Sequence, residues 1–482
     1  MKRTIIFSLV MSTVIAACGL QVPMTDATGS FGQGGAPVGP EDFGDAQPGL
    51  GGDTSGTDTG SGGTVNLPGG TDTGSSGGSG DTGSSGGNSN SGGAVKSSGL
   101  FANETEGINN DQITICAHVP ISGAAPLARH QDRFGQFYFN YVNKELGGIY
   151  GRKVRFLAYD DQYNPTGARA AFERCRREGA FIYVGAAGTD QIVSVAKLAE
   201  QYKIPYLHGP TSDKDLKTHK YNIHAAPTYE AQHRYLARYL VGRYGKDVKY
   251  GMVRVASVFF EAGHDAFVDE LKKLGVTLAV DREVQKDETS FSAVIQDLRA
   301  NNVQVVNNFT TPSIWLKMIP QAQGYRPTWT AVSPIAGYNL VANTLGPSAK
   351  AVVFQHFNPG CNCTKFEGGQ DPSLPYADHI RRFVQIFKKY SPEQKPEIDD
   401  FDYGAFISAE FLHRLLLALG PNPTRSGLFN LVSKYKEDQA EVAPGCAADF
   451  TRGGRRGGHN VNVLELSGGK WKQVQSCVDV GN

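Results

Sequence analysis

The spacing of apolar positions divides the chain into three stretches. A short apolar run, Thr4–Ala17, follows a basic Met1-Lys2-Arg3. From about Asp26 to Ser98 large apolar residues are sparse, and Gly, Ser, Thr and Asp dominate. From Ile113 onward, short β-rich runs alternate with helical stripes. Ile113–Val119 predicts a strand, closed by a turn at Pro120-Ile121-Ser122-Gly123. Phe134, Phe137, Tyr138 and Tyr141 recur at i, i+3, i+4 and i+7, the spacing of a helix with an aromatic inner face, and Gly147-Gly148 stops it. Lys153–Tyr159 predicts the next strand, ended by Asp160-Asp161. Asn164 then caps a helix with Pro165 in its first turn and an inner stripe of Ala168, Ala171, Phe172 and Cys175. Strands at Ile182–Gly185 and Ile204–His208 flank a helix marked by Ile192, Val195, Ala196 and Ala199. The pattern restarts after Tyr244, with strands Tyr250–Val258, Val276–Val284 and Val303–Phe309. Phe267, Leu271 and Leu274 line one intervening helix; Phe291, Val294, Ile295 and Leu298 line the next. This alternation predicts an α/β fold of two doubly wound parallel-sheet lobes, with a ligand cleft beyond the carboxyl ends of the strands.

The first two stretches set the chain's address. Thr4–Ala17 is too short to span a bilayer and has the flanks of an export signal. Because Cys18 directly follows Ile15-Ala16-Ala17, the run resembles a bacterial lipoprotein signal. That resemblance implies a signal peptide at 1–17, cleavage before Cys18, and lipidation of its thiol. Residues 18–108 then form a disordered tether, because so polar a segment cannot bury enough surface to offset its ordering entropy. A Gly/Ser chain of about 80 residues has an r.m.s. reach of about 50 Å. Within it, Gly78-Ser79-Gly80-Asp81-Thr82-Gly83 has the spacing of a dinucleotide fingerprint, but no strand precedes it and no helix follows, so no phosphate site is expected there.

Composition narrows the partners. Lys+Arg and Asp+Glu are both 47, so no global field recruits nucleic acid. The one basic cluster, Gly453-Gly454-Arg455-Arg456-Gly457-Gly458, reads as a surface turn. Of seven cysteines, all but Cys18 lie in the folded part, and their even number outside the cytoplasm suggests disulfides. A metal site is the competing use, but no Cys-x-x-Cys pair occurs and the histidines are scattered, so neither metal nor cofactor is expected.

The series of turns along the folded part resembles the leucine/isoleucine/valine-binding branch of the type I periplasmic substrate-binding proteins, the receptors of ABC importers. The matching pieces are Pro120-Ile121-Ser122-Gly123, Leu146-Gly147-Gly148-Ile149-Tyr150-Gly151-Arg152, Tyr159-Asp160-Asp161 with Asn164-Pro165, and Val184-Gly185 through Thr189. Ile204-Pro205-Tyr206, the Gly209–Leu216 loop, Phe260-Glu261-Ala262-Gly263 and Asp402-Tyr403-Gly404-Ala405 continue the order. The resemblance implies a type I periplasmic-binding fold whose chain crosses between lobes three times. Lobe 1 would comprise 109–226 and 355–445; lobe 2 would comprise 227–354 and 446–482. A hinge would close them on a ligand.

The same resemblance points to the site. Thr189 and Ser212 fall at the hydroxyl positions of the lobe 1 loops, after the third and fourth strands, that hold a ligand carboxylate, with Gly188 beside Thr189 allowing close approach; Ser122, after the first strand, is a further candidate ligand-binding residue. In lobe 2 the family places an acid after the strand Trp329–Val332 to hold an ammonium, but Ser333-Pro334-Ile335-Ala336-Gly337-Tyr338 contains none. A buried ammonium without a countercharge is costly. The lobe 2 rim instead offers Phe260, Thr311, Trp315, Pro334 and Tyr338, which suit an apolar or aromatic ligand. Asp160-Asp161 reads as a strand-end turn, and His208, His219 and His224 as surface or internally satisfied histidines. No Gly-x-Ser-x-Gly, His-Glu-x-x-His or Walker motif occurs in the folded part, and no enzyme is expected.

The implied function is a monomeric, lipid-anchored, extracytoplasmic solute-binding protein that serves a membrane permease and ATPase. The alternative is a ligand-sensing receptor of the same fold coupled to a signalling partner. Cys116 on the first strand and Cys175 on the inner stripe of the second helix are predicted to bond, since that helix packs on the sheet; buried free thiols are the alternative. Cys361 and Cys363 are expected to pair with Cys446 and Cys477, in an order left open.

Overall fold

The computed structural model describes residues 101 and 103–481, apart from 124–134, 186–187, 210–211, 213–219, 334–340, 342–343, 347, 357–376, 392–397, 399, 443–444 and 454. Cys18, Cys361, Cys363, His219 and Tyr338 lie outside the described residues.

The first lobe is built on strands β1 (Gln112–Val119), β2 (Lys153–Asp160), β3 (Ile182–Gly185), β4 (Tyr206–His208) and β5 (Asn222–His224). They form one parallel sheet in the order β2-β1-β3-β4-β5. Both faces of β1 are buried. Ile113, Ile115, Ala117 and Val119 join the larger core, and Cys116 joins a second cluster on the opposite face. Burial on both sides explains why apolar residues occupy both faces of β1, with Thr114 and His118 the buried polar exceptions.

Helices α1 (Gln136–Glu145), α2 (Pro165–Glu178) and α3 (Thr189–Tyr202) follow the first three strands. Asn164 caps α2 by accepting the Gly167 N–H at 2.8 Å, as its position before Pro165 predicts. The aromatic face of α1 meets two later helices, α8 (Ala377–Tyr390) and α9 (Asp400–Leu419). Phe137 lies 4.9 Å from the Phe387 ring and 6.2 Å from that of Phe406, and Tyr138 Oη is 3.0 Å from His413 Nδ1. The chain thus returns to cover the second face of the first sheet.

The second sheet contains β6 (Tyr250–Val255), β7 (Val280–Val284), β8 (Val305–Phe309), β9 (Thr328–Ala331), β10 (Lys350–Gln355), β11 (Asn460–Ser467) and β12 (Lys470–Asp479). Its order is β7-β6-β8-β9-β10-β11-β12, the first lobe's pattern repeated and extended by an antiparallel hairpin. Helices α4 (Tyr229–Tyr244), α5 (Val258–Lys273), α6 (Ser292–Ala300) and α7 (Pro312–Gln321) belong to this part. Several strands begin later or end earlier than the apolar runs suggest. β6 stops at Val255 because α5 already starts at Val258, and Val276–Ala279 stays outside β7. Among the described residues no helix is long and apolar enough to cross a membrane.

The segments joining the two sheets pack together. His224 donates its N–H to Arg455 O at 2.8 Å and accepts from Gly457 N at 2.8 Å. A Cβ on Gly458 would lie 2.2 Å from the Ala226 carbonyl carbon. The cluster around Arg455-Arg456 is therefore no surface turn: it pairs with the edge strand β5, and its glycines let two crossings touch. His356, at the end of β10, lies 2.6 Å through Nδ1 from Asn460 O and accepts the Cys446 N–H through its own carbonyl at 3.1 Å.

Cys116 and Cys175 are bonded, with Cα atoms 5.6 Å apart. Cys446 is bonded to Cys477 of β12, with Cα atoms 5.3 Å apart. This corrects the expected pairing of those two with Cys361 and Cys363. The β11–β12 hairpin folds Cys477 back beside the segment that carries Cys446, a proximity that sequence distance alone conceals.

One surface pair gives a pH-dependent expectation. His264 on α5 lies between Asp281 of β7, at 2.7 Å, and Asp265, at 2.9 Å. The bond to Asp281 raises the His264 pKa against the opposing effect of burial, and the same bond lowers that of Asp281. A raised histidine pKa stabilises the fold below the unfolded value, about 6.5, and that contribution is lost as pH rises through the folded value. The depressed aspartate pKa sets the lower edge: its contribution is lost as pH falls through the folded value. His264→Gln should therefore lower the denaturation midpoint more at pH 5.5 than at pH 8. Equal losses at both pH values would contradict this.

Candidate functional site

In both sheets the strand order reverses between the first and third strands, and ligands of doubly wound folds bind at such points. In the first lobe the loops there carry Pro120–Gly123 and Gly188-Thr189. In the second they carry Ala256-Ser257 and Thr310-Thr311.

Ser122 is exposed, and its hydroxyl donates to Asp160 Oδ2 at 2.6 Å. The Ile121, Ser122 and Gln162 N–H groups converge on Asp160 Oδ1. Burial raises the Asp160 pKa, but these donors outweigh it and hold the carboxyl below its ordinary range. Asp160 thus ties the first two strand-end loops together. Asp161 does more than shape a turn. It is fully buried, accepts the Tyr163 N–H at 2.8 Å, and sits 2.8 Å from His118 Nδ1. His118 Nε2 is 2.6 Å from Tyr206 Oη on β4. That bond passes over β3 at Gly185, where a Cβ would lie 2.2 Å from the phenol oxygen. His208 and His224 are buried with their rings 5.2 Å apart, so neither is a surface residue.

Thr189 is the first residue of α3 and is buried. Its hydroxyl donates to Tyr229 Oη at 3.4 Å. Gly188 has φ +92° and brings its backbone against the Gln191 side chain, where a Cβ would lie 2.2 Å from Oε1. Ser212 is buried in the loop after β4.

Tyr229 opens α4 and begins an aromatic wall. Phe309 lies 5.2 Å from it and 4.6 Å from Phe260. Burial raises the Tyr229 pKa to about 12, so the phenol stays protonated. Burial, Tyr229 and Asp161 likewise raise that of Tyr163. Thr311 caps α7 through Ile314 N–H at 3.4 Å and shares a hydrogen bond with Ser313 Oγ at 2.9 Å. At the end of β9, Gln232 accepts the Ser333 N–H at 2.9 Å and donates to Ser333 O at 3.0 Å and Pro227 O at 3.1 Å.

Trp315 does not belong to this rim. It is 1% exposed and packs edge-on against Trp329 at 6.1 Å inside the second lobe, because it sits on the sheet-facing side of α7. Tyr163, Tyr229, Phe309 and Gln232 enter the site without having been singled out. For Tyr229 a signal existed: it follows Pro227-Thr228, a cap placed where the chain leaves the first sheet. The arrangement offers hydroxyls, helix N–H groups and an aromatic wall. Among the described residues no group of three or more His, Cys, Asp or Glu is placed to hold a metal ion.

The sequence model of the periplasmic binding protein family matches residues 112–470. The chain belongs to that family. Membership agrees with the ordered series of turns and with the paired doubly wound sheets. No curated protein matches the sequence. Solved structures share the fold at low identity. A fatty acid ABC transporter substrate-binding protein from Thermomonospora curvata has a TM-score of 0.63 and 16% identity, covering 77% of this chain and 94% of that one. A branched chain amino acid ABC transporter protein from Thermus thermophilus with bound valine has a TM-score of 0.61 and 16% identity, covering 77% and 97%. An R. palustris solute binding protein in complex with 4-hydroxybenzoate has a TM-score of 0.61 and 15% identity, covering 77% and 98%.

Proposed function

We propose that this chain is an extracytoplasmic solute-binding lipoprotein of an ABC-type importer, anchored through Cys18, that captures a small apolar or aromatic carboxylate between its lobes and hands it to a permease. The observation that carries this reading is the facing of Thr189, at the N-terminus of α3, by the wall of Tyr229, Phe260 and Phe309. A carboxylate suits a helix N-terminus, whose first N–H groups have no intrahelical partner. An apolar body suits the aromatic wall. An α-ammonium fares worse, since no acid follows β9 in Ser333–Tyr338 and Asp190 is already paired with Lys286. Two neighbours of the same fold carry 4-hydroxybenzoate and 3,4-dihydroxybenzoic acid, so the scaffold accommodates such ligands. Ligand contacts to both lobes would stabilise the closed arrangement, with no covalent step.

A ligand that binds only the folded state raises the melting temperature by mass action. Benzoate-type or phenylalkanoic acids should do so, and leucine, isoleucine and valine should not. A large shift with a branched-chain amino acid, and none with the aromatic acids, would refute the ligand class.

A further inference from the structure

Asp190, the second residue of α3, is only 8% exposed although it carries an ionisable carboxyl. A negative charge in the first turn suits the helix dipole, but burial of an unpaired carboxylate is costly. Its partners come from the other lobe. The Lys286 ammonium, two residues past β7, pairs with Asp190 Oδ2. Ser257, two residues past β6, donates its hydroxyl to Asp190 Oδ1 at 3.4 Å. Each of the three stands just beyond the end of a strand or at the start of the helix that follows one, so the contact spans the cleft. The neighbouring Thr189–Tyr229 bond spans it at the same helix end. Opening the lobes would separate Asp190 from Lys286.

We propose that Asp190, Lys286 and Ser257 form an interlobe clasp that holds the ligand-free protein toward its closed arrangement. The clasp contributes wherever the lobes approach, whether or not a solute is present. It also cancels the Asp190 charge that would otherwise repel an anionic solute at the α3 N-terminus. A protein biased this way binds more tightly than one that must close at the solute's expense, because apparent affinity scales with the fraction already competent. The clasp itself does not depend on which solute is carried; only the charge cancellation rests on the proposed anionic ligand.

The test uses the full-length chain without added solute. Spectroscopic labels are placed at exposed Lys197 on α3 and Lys272 on α5, through a chemistry that leaves the native disulfides intact. Lys286→Met should lower the closed-to-open ratio about fivefold or more and lengthen the mean label distance. The Lys286 side chain is 48% exposed, so this variant tests the clasp with little burden on folding. Asp190→Asn should give a similar shift, and the double variant no more than either single one. In the wild type, salt near 1 M, where the Debye length is about 3 Å, should lengthen the distance, and in Lys286→Met it should not. An unchanged distance in Lys286→Met, single effects that add in the double variant, or a wild-type distance indifferent to salt would overturn the proposal.

Discussion

Cys18→Ser is expected to abolish retention of the protein at the membrane. In the fractionated culture the wild type should sediment with membranes, and the variant should appear in the medium or persist as an uncleaved precursor. The size of the effect follows from the anchoring chemistry. Under the proposed lipoprotein reading, acyl chains on Cys18 would carry the attachment, and stable anchoring generally needs more than one chain. Losing the thiol removes the attachment point for all of them. On the same reading the Gly- and Ser-rich stretch behind it would provide reach rather than adhesion, since equal numbers of basic and acidic residues give the chain no net attraction to an anionic surface. Intact mass distinguishes the two outcomes, because an unprocessed precursor retains Met1–Ala17. Unchanged retention and processing would remove the lipoprotein reading and leave the fold assignment untouched.

The second large effect is expected on stability. Cys116 and Cys175 join β1 to α2 across a sequence separation of 59, and both are at most 1% exposed. Removing a bridge over a loop of that length costs about 2–4 kcal/mol, mainly by releasing the unfolded chain. Cys116→Ala with Cys175→Ala should therefore lower the melting temperature by several degrees or more, with the first lobe yielding first. The substitutions also vacate volume beside Phe172 and Tyr183, which adds to the loss. Non-reducing peptide mapping gives the complementary check: the two peptides should migrate together. A Cys116 peptide found free, or a double variant as stable as the wild type, would contradict the account.

Much of this architecture was legible in the residues. Four strands of the first lobe show as apolar runs bounded by turns, and Asn164-Pro165 announces a helix start on chemical grounds; β5, a lone Ile223 between Asn222 and His224, leaves no such run and was not predicted. The Cys116–Cys175 proximity follows from a strand and an inward helix stripe, which period alone can place. The site was legible only in part. Thr189 and Phe260 stand at strand ends that topology makes important. Trp315 misled because an aromatic on an amphipathic helix near a strand end looks the same whether it faces cleft or core; only the packing against Trp329 decides it. The glycines around Arg455-Arg456 looked like a loose turn because glycine serves loops and close backbone crossings equally well. The Asp190–Lys286 pair joins residues 96 positions apart in different lobes, and no local pattern encodes such a meeting.

The central claim is that a small organic solute occupies the cleft between the lobes. Native mass spectrometry of gently purified, mature protein tests it most directly. The account predicts a noncovalent adduct of a small apolar or aromatic carboxylic acid, released intact on denaturation. A protein that carries no adduct and stays unbound across a panel of aromatic and aliphatic carboxylic acids would contradict it, as would one that chemically converts a bound acid.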